Sequence, residues 1–403
     1  MIRRLGTLLL TLSTGATLFT ALPSASDAHE VLVADRLTDR ILRYSASGSF
    51  LGVLLEDSTN LDEPNGMALS PDGTQLYVAS RQNNSVVRYD YDGASATNPE
   101  VVISSGISVP ASLLFSQDGT KLYVSNLGVA FDGATVAQFN LDGTSAGPDL
   151  TGGEATGRTG LAFGPDGALL VATIGDQTTF ESKILRYSEA NQQFETFIGP
   201  TQALMGGGNI VVDGNGVYAA AGFAGGVFKF DYATAQFAQD FAPITGLEFP
   251  ASLSLAPDGN SLLVGILGFA DGAGRIDRYS LQGALIETFA NNSNENPELG
   301  FREATGLLVV PGVDAPQVGD TNGDGLVDIV DLNNVRNNFG ATGAPDGTLA
   351  GDAYPFDGAV DIEDLNGVRN NFGTEPEPVP EPAAVTLAFI AVAALGMMKR
   401  RCK

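Results

Sequence analysis

The chain has 403 residues, a net charge of -26, one histidine, one cysteine and no tryptophan. Such acidity leaves no basic patch to neutralise phosphates, which argues against nucleic acid or anionic lipid as a partner. With Cys402 in the last residues and His29 the sole imidazole, the sequence provides for no disulfide framework, no Ser-His-Asp triad and no multi-histidine metal centre.

At the start, Met1-Ile2-Arg3-Arg4, an apolar run from Leu5 to about Leu22 and small residues from Ser24 to Ala28 predict a secretory signal peptide over residues 1–28. Cleavage is expected after Ser26 or Ala28. The body of the protein is then exported through the cytoplasmic membrane, to the cell surface, the envelope or an extracellular matrix.

A repeat follows over residues 29–312. The segments beginning at Pro64 (PNGMALSPDGTQLYVAS), Pro110 (PASLLFSQDGTKLYVSN), Arg158 (RTGLAFGPDGALLVATI), Gly208 (GNIVVDGNGVYAAAG) and Pro250 (PASLSLAPDGNSLLVGI) each read as strand, glycine turn, strand. A third strand is marked by Arg43-Tyr44, Arg88-Tyr89, Gln138-Phe139, Arg186-Tyr187, Lys229-Phe230 and Arg278-Tyr279, about 43 to 50 residues apart. That is the spacing of four-stranded propeller blades, and six marks predict six blades. The first unit, from Glu30 to Leu55, lacks one strand, and Ala304 to Val310 lies orphaned at the far end. The expectation is that this strand joins the first unit and ties the ring shut, hiding the sheet edges. An open β-solenoid, the alternative, gives no role to these complementary fragments.

The pattern resembles the six-bladed propellers of the NHL-repeat and gluconolactonase type. Propeller topology places the loops leading into the inner strands, and those joining strands two and three, on one face around the channel mouth. Inner-strand starts put Asn65, Ser112, Thr159, Asn209, Ser252 and Thr305 in a polar ring, with Glu63, Glu248 and Glu303 just before three of them. The loops add Asp132, Asp176, Glu181 and Asp271, together with Phe131, Phe180, Phe223 and Phe269. The resemblance implies a divalent metal in the channel acting on a lactone, and Pro64-Asn65-Gly66 carries Asn65 over as a ligand. Glu303 is the second candidate, although Glu303-Ala304-Thr305 departs from the family's Glu-Gly-Pro. The catalytic residues are otherwise unknown. A glycan or peptide across the mouth is the competing expectation, with phenylalanines in place of the absent tryptophan.

After a linker over 313–318, two related segments, GDTNGDGLVDIVDLNNVRNNFG and GDAYPFDGAVDIEDLNGVRNNFG, each join an acidic loop to a short amphipathic helix. In the first, Asp320, Asn322, Asp324, Asp328 and Asp331 supply oxygens at loop positions 1, 3, 5, 9 and 12, and the Leu326 carbonyl supplies position 7. Gly325 permits the sharp turn. In the second, Asp352, Asp357, Asp361 and Asp364 are the corresponding carboxylates, with Tyr354-Pro355-Phe356 replacing the usual small polar run. Leu332, Val335 and Phe339, and then Leu365, Val368 and Phe372, predict one apolar face per helix. Residues 319–373 resemble a type I dockerin, a small α-helical domain of paired EF-hand-type loops. The resemblance implies Ca²⁺ as cofactor and a cohesin-like or envelope protein as partner, chosen through Ile329-Val330 and Ile362-Glu363.

The last stretch, 374–403, contains Pro380-Glu381-Pro382, an apolar run over 383–398 and Lys399-Arg400-Arg401. It resembles a PEP-CTERM sorting signal, which implies an exosortase-type processing enzyme and a transmembrane segment over 383–398. The run falls short of the roughly 20 residues that span a bilayer comfortably, and a plain C-terminal anchor is the alternative. The whole chain thus reads as an all-β propeller followed by a dockerin-like module and a membrane-directed tail. The expected function is an exported binding protein, with a metal-dependent lactonase-like hydrolase as the alternative.

Overall fold

The computed structural model describes residues 29–133, 135–153, 157–175, 178–268, 274–291, 303–311, 321, 327, 329–343, 351–352 and 359–372. The described strands form six antiparallel sheets arranged as the blades of a propeller. Consecutive inner strands lie against one another right round the ring, the last against the first.

Blade 1 is the composite that the sequence predicts: Ala304–Pro311 is its inner strand, followed by His29–Asp35, Arg40–Ser45 and Phe50–Glu56. Val31 pairs with Val309 and Leu32 with Leu308, so chain segments far apart in sequence close the ring. Blade 2 is continuous, from the inner strand Pro64–Leu69 through Gln75–Ser80 and Ser85–Tyr91 to Ala96–Ile103. Blades 4 and 6 begin at Arg158–Phe163 and Pro250–Leu255 and are built the same way.

Two blades depart from the expected four full strands. Blade 3 has three, Pro110–Phe115, Lys121–Asn126 and Val136–Asn140. The segment after it, which contains Gly143, Gly147, Pro148, Gly152 and Gly153, follows the blade only through the isolated bridges Val136↔Leu150 and Phe139↔Ser145. Positive φ at four of these glycines prevents an extended outer strand. Blade 5 begins at Gly207–Asp213 and ends in an outer strand reduced to Ile244–Thr245.

The second strands read as nearly continuous apolar runs because both of their faces are covered. In Gln75–Ser80, Leu76 and Val78 pack with blade 1 while Tyr77 and Ala79 pack with blade 3. The same two-sided burial gives six apolar clusters, one at each blade junction. The Pro-Asp-Gly turns close hairpins on the face away from the mouth. At Asp72, Oδ1 accepts from the Ser70 hydroxyl at 2.6 Å and the Thr74 N–H at 3.1 Å, while Gly73 takes φ 75°.

Beyond the ring, two helices are described, α1 (Ile329–Asn338) and α2 (Ile362–Asn371). Val327, Val335, Val360 and Val368 are fully buried together, flanked by Leu332 and Leu365. A Thr342↔Ala359 bridge and the bonds Gly340 N–H to Val360 O and Val360 N–H to Ala341 O tie the two halves. The apolar faces are shorter than expected: Phe339 is 56% and Phe372 53% exposed, because each lies past the last helical turn. Among the described residues no helix is long and apolar enough to cross a membrane. The expected signal peptide, the linker 313–318 and the tail 374–403 with its run 383–398 lie outside the described residues.

Candidate functional site

The polar ring around the channel mostly does something other than face a ligand. Thr305 Oγ1 donates to Pro64 O at 2.8 Å, Thr159 Oγ1 to Gly208 O at 2.9 Å, Ser252 Oγ to Ala304 O at 3.0 Å and Asn209 Nδ2 to Leu253 O at 3.3 Å. Each of these bonds crosses from one inner strand to the next blade's. Between blades 3 and 4 the same link is made by Ser125, whose hydroxyl donates to Thr159 O at 2.5 Å. Small residues let the strands approach this closely: a Cβ on Gly66 would lie 2.6 Å from Ser112 Cα, and one on Gly160 would lie 2.6 Å from Asn209 Cα. The side chains of Asn65 and Ser112 are the exceptions, since neither is hydrogen-bonded within the described residues. Both line the channel.

That channel is a cavity of about 510 Å³, within the range of small-molecule sites. Its lining is mixed: glycines and small polar residues of the inner strands alternate with residues such as Met67, Leu113 and Leu307, whose side chains are themselves buried in the blade junctions. Phe131, Phe223 and Phe249 line it near the mouth. With Phe180 they form a chain of ring contacts: Phe131 to Phe180 at 6.2 Å, Phe180 to Phe223 at 4.6 Å and Phe223 to Phe249 at 5.2 Å. The mouth-loop phenylalanines expected from sequence therefore do cluster, except Phe269, which lies outside the described residues. Phe249 is an addition.

The charged side of the mouth belongs to blades 1 and 2, and two arginines missed in the sequence dominate it. Each blade carries the same device. In blade 1, Arg36 donates its N–H to Glu303 O at 3.2 Å, and its Nη2 lies 2.6 Å from Glu303 Oε2. That contact is an ion pair without an aligned hydrogen bond. In blade 2, Arg81 donates its N–H to Glu63 O at 3.2 Å and Nη1 to Glu63 Oε2 at 3.0 Å. Asp35 and Asp39 brace the two glutamates by accepting the Glu303 and Glu63 N–H groups, each at 3.0 Å. Burial raises the Asp39 pKa, partly offset by the Glu63 N–H, and neighbouring Asp62 and Asp35 push it the same way as burial. Burial lowers the Arg81 pKa; Glu63 opposes this and Arg36 adds to it.

Both arginines line the cavity and neither glutamate does. Among the described residues, no carboxylate lines it. Glu303 is thus close to the mouth, as expected, but its carboxylate is held by Arg36 rather than turned to the channel beside Asn65. Asp132 and Glu181 lie in mouth loops without lining the cavity; Asp176 and Asp271 lie outside the described residues. No three His, Cys, Asp or Glu side chains are grouped for a metal ion among the described residues.

Backbone strain concentrates at the same mouth. Glu63, Val109, Phe131, Phe180 and Phe249 all take φ between 49° and 65°. Three of them precede prolines, where extended φ is the ordinary choice. Left-handed backbone at such residues costs about 1–3 kcal/mol each and collects at binding sites.

In the helical module, Asp331 is fully buried and accepts from the Thr321 N–H at 2.8 Å and its hydroxyl at 3.1 Å. Asp352 and Asp364 are buried too. Asp361 and Asp364 form a capping box at the start of α2, with Glu363 N–H to Asp361 Oδ1 and Asp361 N–H to Asp364 Oδ2 both at 2.7 Å. Asp320, Asn322, Asp324, Leu326, Asp328 and Asp357 lie outside the described residues.

No protein-family model and no curated protein matches the chain. Solved structures do. One chain of a nidogen/laminin complex aligns at 14% identity with a TM-score of 0.55, covering 70% of this chain and 99% of that one. A periplasmic gluconolactonase of Pseudomonas aeruginosa aligns at 18% identity and TM-score 0.47, covering 64% and 81%. A 6-phosphogluconolactonase-like protein of Bacteroides uniformis aligns at 18% and 0.47, covering 65% and 82%. The first of these shares the propeller fold with this chain; at such identities nothing about partners or chemistry transfers.

Proposed function

We propose that the protein is an exported binding protein: the propeller's channel mouth receives a ligand, and residues 319–373 act as a Ca²⁺-dependent adaptor that fixes it to a cohesin-like or envelope partner. The observation that carries the propeller half is the cavity of about 510 Å³, lined by Asn65, Ser112, Arg36 and Arg81 together with Phe131, Phe223 and Phe249. A few convergent polar groups beside aromatic rings are the usual composition of a site that orients a small ligand.

The adaptor half rests on the two acidic loop-and-helix segments of the sequence, and is supported by the packing of their helices on a shared core of Val327, Val335, Val360 and Val368. The oxygen donors of those loops suit Ca²⁺.

A metal-dependent lactonase is the second reading, favoured by the unpaired Asn65. The donor set around Asn65 does not fit a cation: the charged groups that line the channel are guanidinium groups, and Glu303 is neutralised by Arg36. We therefore derive no reaction step through a channel metal. Metal analysis of the full chain, dialysed against trace Zn²⁺ and Mn²⁺ with Ca²⁺ in excess, separates the two readings. Equal metal content in the wild type and Asn65→Ala supports the binding protein. Loss of one tightly held metal per chain in Asn65→Ala sinks it in favour of the hydrolase.

A further inference from the structure

We infer that the channel mouth selects small amphipathic carboxylates, molecules with a ring-shaped apolar body and one anionic head. This rests on the proposed reading of the mouth as a ligand site and names the class of ligand.

In a chain of net charge -26, the cavity's charged lining among the described residues is Arg36 and Arg81 alone. Their glutamate partners are not among the lining residues, so the charged groups at the cavity wall are guanidinium groups. The pairing is also incomplete. Arg36 Nε and Arg81 Nε are buried with no hydrogen-bond partner among the described residues, and burial together with mutual repulsion outweighs Glu63 in setting the Arg81 pKa. An entering anion would offer acceptors to these buried guanidinium N–H groups, which a cation cannot do. Guanidinium groups recognise planar carboxylates by charge-assisted, often bidentate, hydrogen bonds. The unpaired Asn65 and Ser112 lie on the adjoining inner strands of blades 2 and 3 and line the same space.

The aromatic groups come from the other side of the ring. Phe131, Phe180, Phe223 and Phe249 reach the mouth from blades 3, 4, 5 and 6, while the arginines reach it from blades 1 and 2. Three of these phenylalanines are held at positive φ. The ring chain leaves Phe223 45% exposed, an apolar face open to whatever enters. The separation of the two walls is what an amphipathic molecule needs: its ring lies against the phenylalanines and its head turns to blades 1 and 2.

Isothermal titration of the full chain with a matched series tests this. The probes are 2-naphthylacetate, its neutral amide, 2-(2-naphthyl)ethylamine and plain acetate. The acid should bind at least about tenfold more tightly than the amide, the difference expected of a charge-assisted bond. The amine and acetate should give no saturable heat. Arg81→Gln should erase the preference for acid over amide while changing amide binding less than about twofold, and Phe223→Ala should weaken acid and amide alike. Acid and amide binding equally in the wild type, both weakened by Phe223→Ala, would overturn the carboxylate inference and leave the mouth as a ligand site. Binding of the amine in preference to the acid overturns it too. No saturable binding by any naphthyl probe would overturn both. The wild-type series decides the question even if Arg81→Gln fails to fold.

Discussion

Gly306→Ala tests the closed ring where it is most crowded. Gly306 lies in the inner strand of blade 1, and a Cβ built on it would sit 2.1 Å from the Asn65 carbonyl oxygen and 3.2 Å from Ala34 Cβ. A backbone oxygen cannot swing aside as the end of a side chain can, so blades 1 and 2 would have to part by about 1 Å to restore ordinary contact. Overpacking of this kind costs about 1–3 kcal/mol, and a backbone obstacle puts the cost near the top of that range. For a domain of this size each kcal/mol moves the thermal midpoint by about 2 °C, which gives a fall of about 6 °C. Gly199→Ala is the matched control: it lies in the outer strand of blade 4 with nothing within 4 Å of the added Cβ, and its φ is ordinary. Its effect should stay within about 0.5 kcal/mol. Far-UV circular dichroism on heating reads both variants. Midpoints within 2 °C of each other, to roughly the precision that separates such variants, would refute the reasoning, since they would mean that the inner strands are not packed backbone to backbone around the axis.

Three further outcomes are expected. Tyr89→Phe removes a hydrogen bond from the phenol to Asp57 Oδ2 at 2.9 Å and should cost about 1–2 kcal/mol, read as a lower urea midpoint at unchanged slope. Burial raises the Asp57 pKa, but hydrogen bonds from Asn60 and Tyr89 outweigh it, so the same variant should move that pKa upward by NMR titration. Asp118 is held down to about 2, first by the Ser116 hydroxyl and then by the Thr120 N–H and hydroxyl. A carboxylate depressed below its ordinary 3.8 in the folded state contributes stability that is complete above that value and is lost as pH falls toward about 2. Asp118→Asn should therefore flatten the fall in melting temperature over that window, and a profile parallel to the wild type would count against the turn's role. Finally, Ca²⁺ at a hundredfold excess over its Kd should slow hydrogen exchange across Ile329–Asn338 by an amount equivalent to about 2.7 kcal/mol, and Asp331→Ala should abolish the response. Exchange that ignores Ca²⁺ in the wild type would remove the adaptor half of the proposed function.

The ring was legible in the sequence because its determinants are local and repeated. Apolar strand pairs joined by glycine turns and followed by a basic-aromatic mark recur along the ring, with Gln138-Phe139 in place of the basic pair in one unit, and the orphan strand Ala304–Val310 fills the one gap that the count leaves. Blade 3 was not legible as a three-stranded sheet. Its repeat marks persist through Phe139, and the failure lies in the irregular glycine and proline stretch after it, where periodicity is silent. The sequence pattern locates the starts of the inner strands but not what their polar side chains do. A hydroxyl at the start of an inner strand can face the axis or the neighbouring blade, and the choice depends on a lateral approach of backbones that no linear pattern encodes. Thr159, Ser252 and Thr305 take the second option.

The arginines left a signal that was overlooked. Val33-Ala34-Asp35-Arg36 and Val78-Ala79-Ser80-Arg81 place the same residue just after the second strands of two consecutive units. The corresponding positions in the next four units are Leu127, Ile174, Gly222 and Leu267. A cation at that position in two adjoining units, each with a glutamate just before the inner strand, specifies a paired device on one side of the mouth. Counting carboxylates alone suggested a cation site; asking which charges line the channel reverses the sign. Glu63 and Glu303 hold the arginines in place, and the arginines set the field that a ligand meets. The proposed preference for a carboxylate therefore rests on which groups line the channel, not on the many acidic residues spread over the rest of the chain.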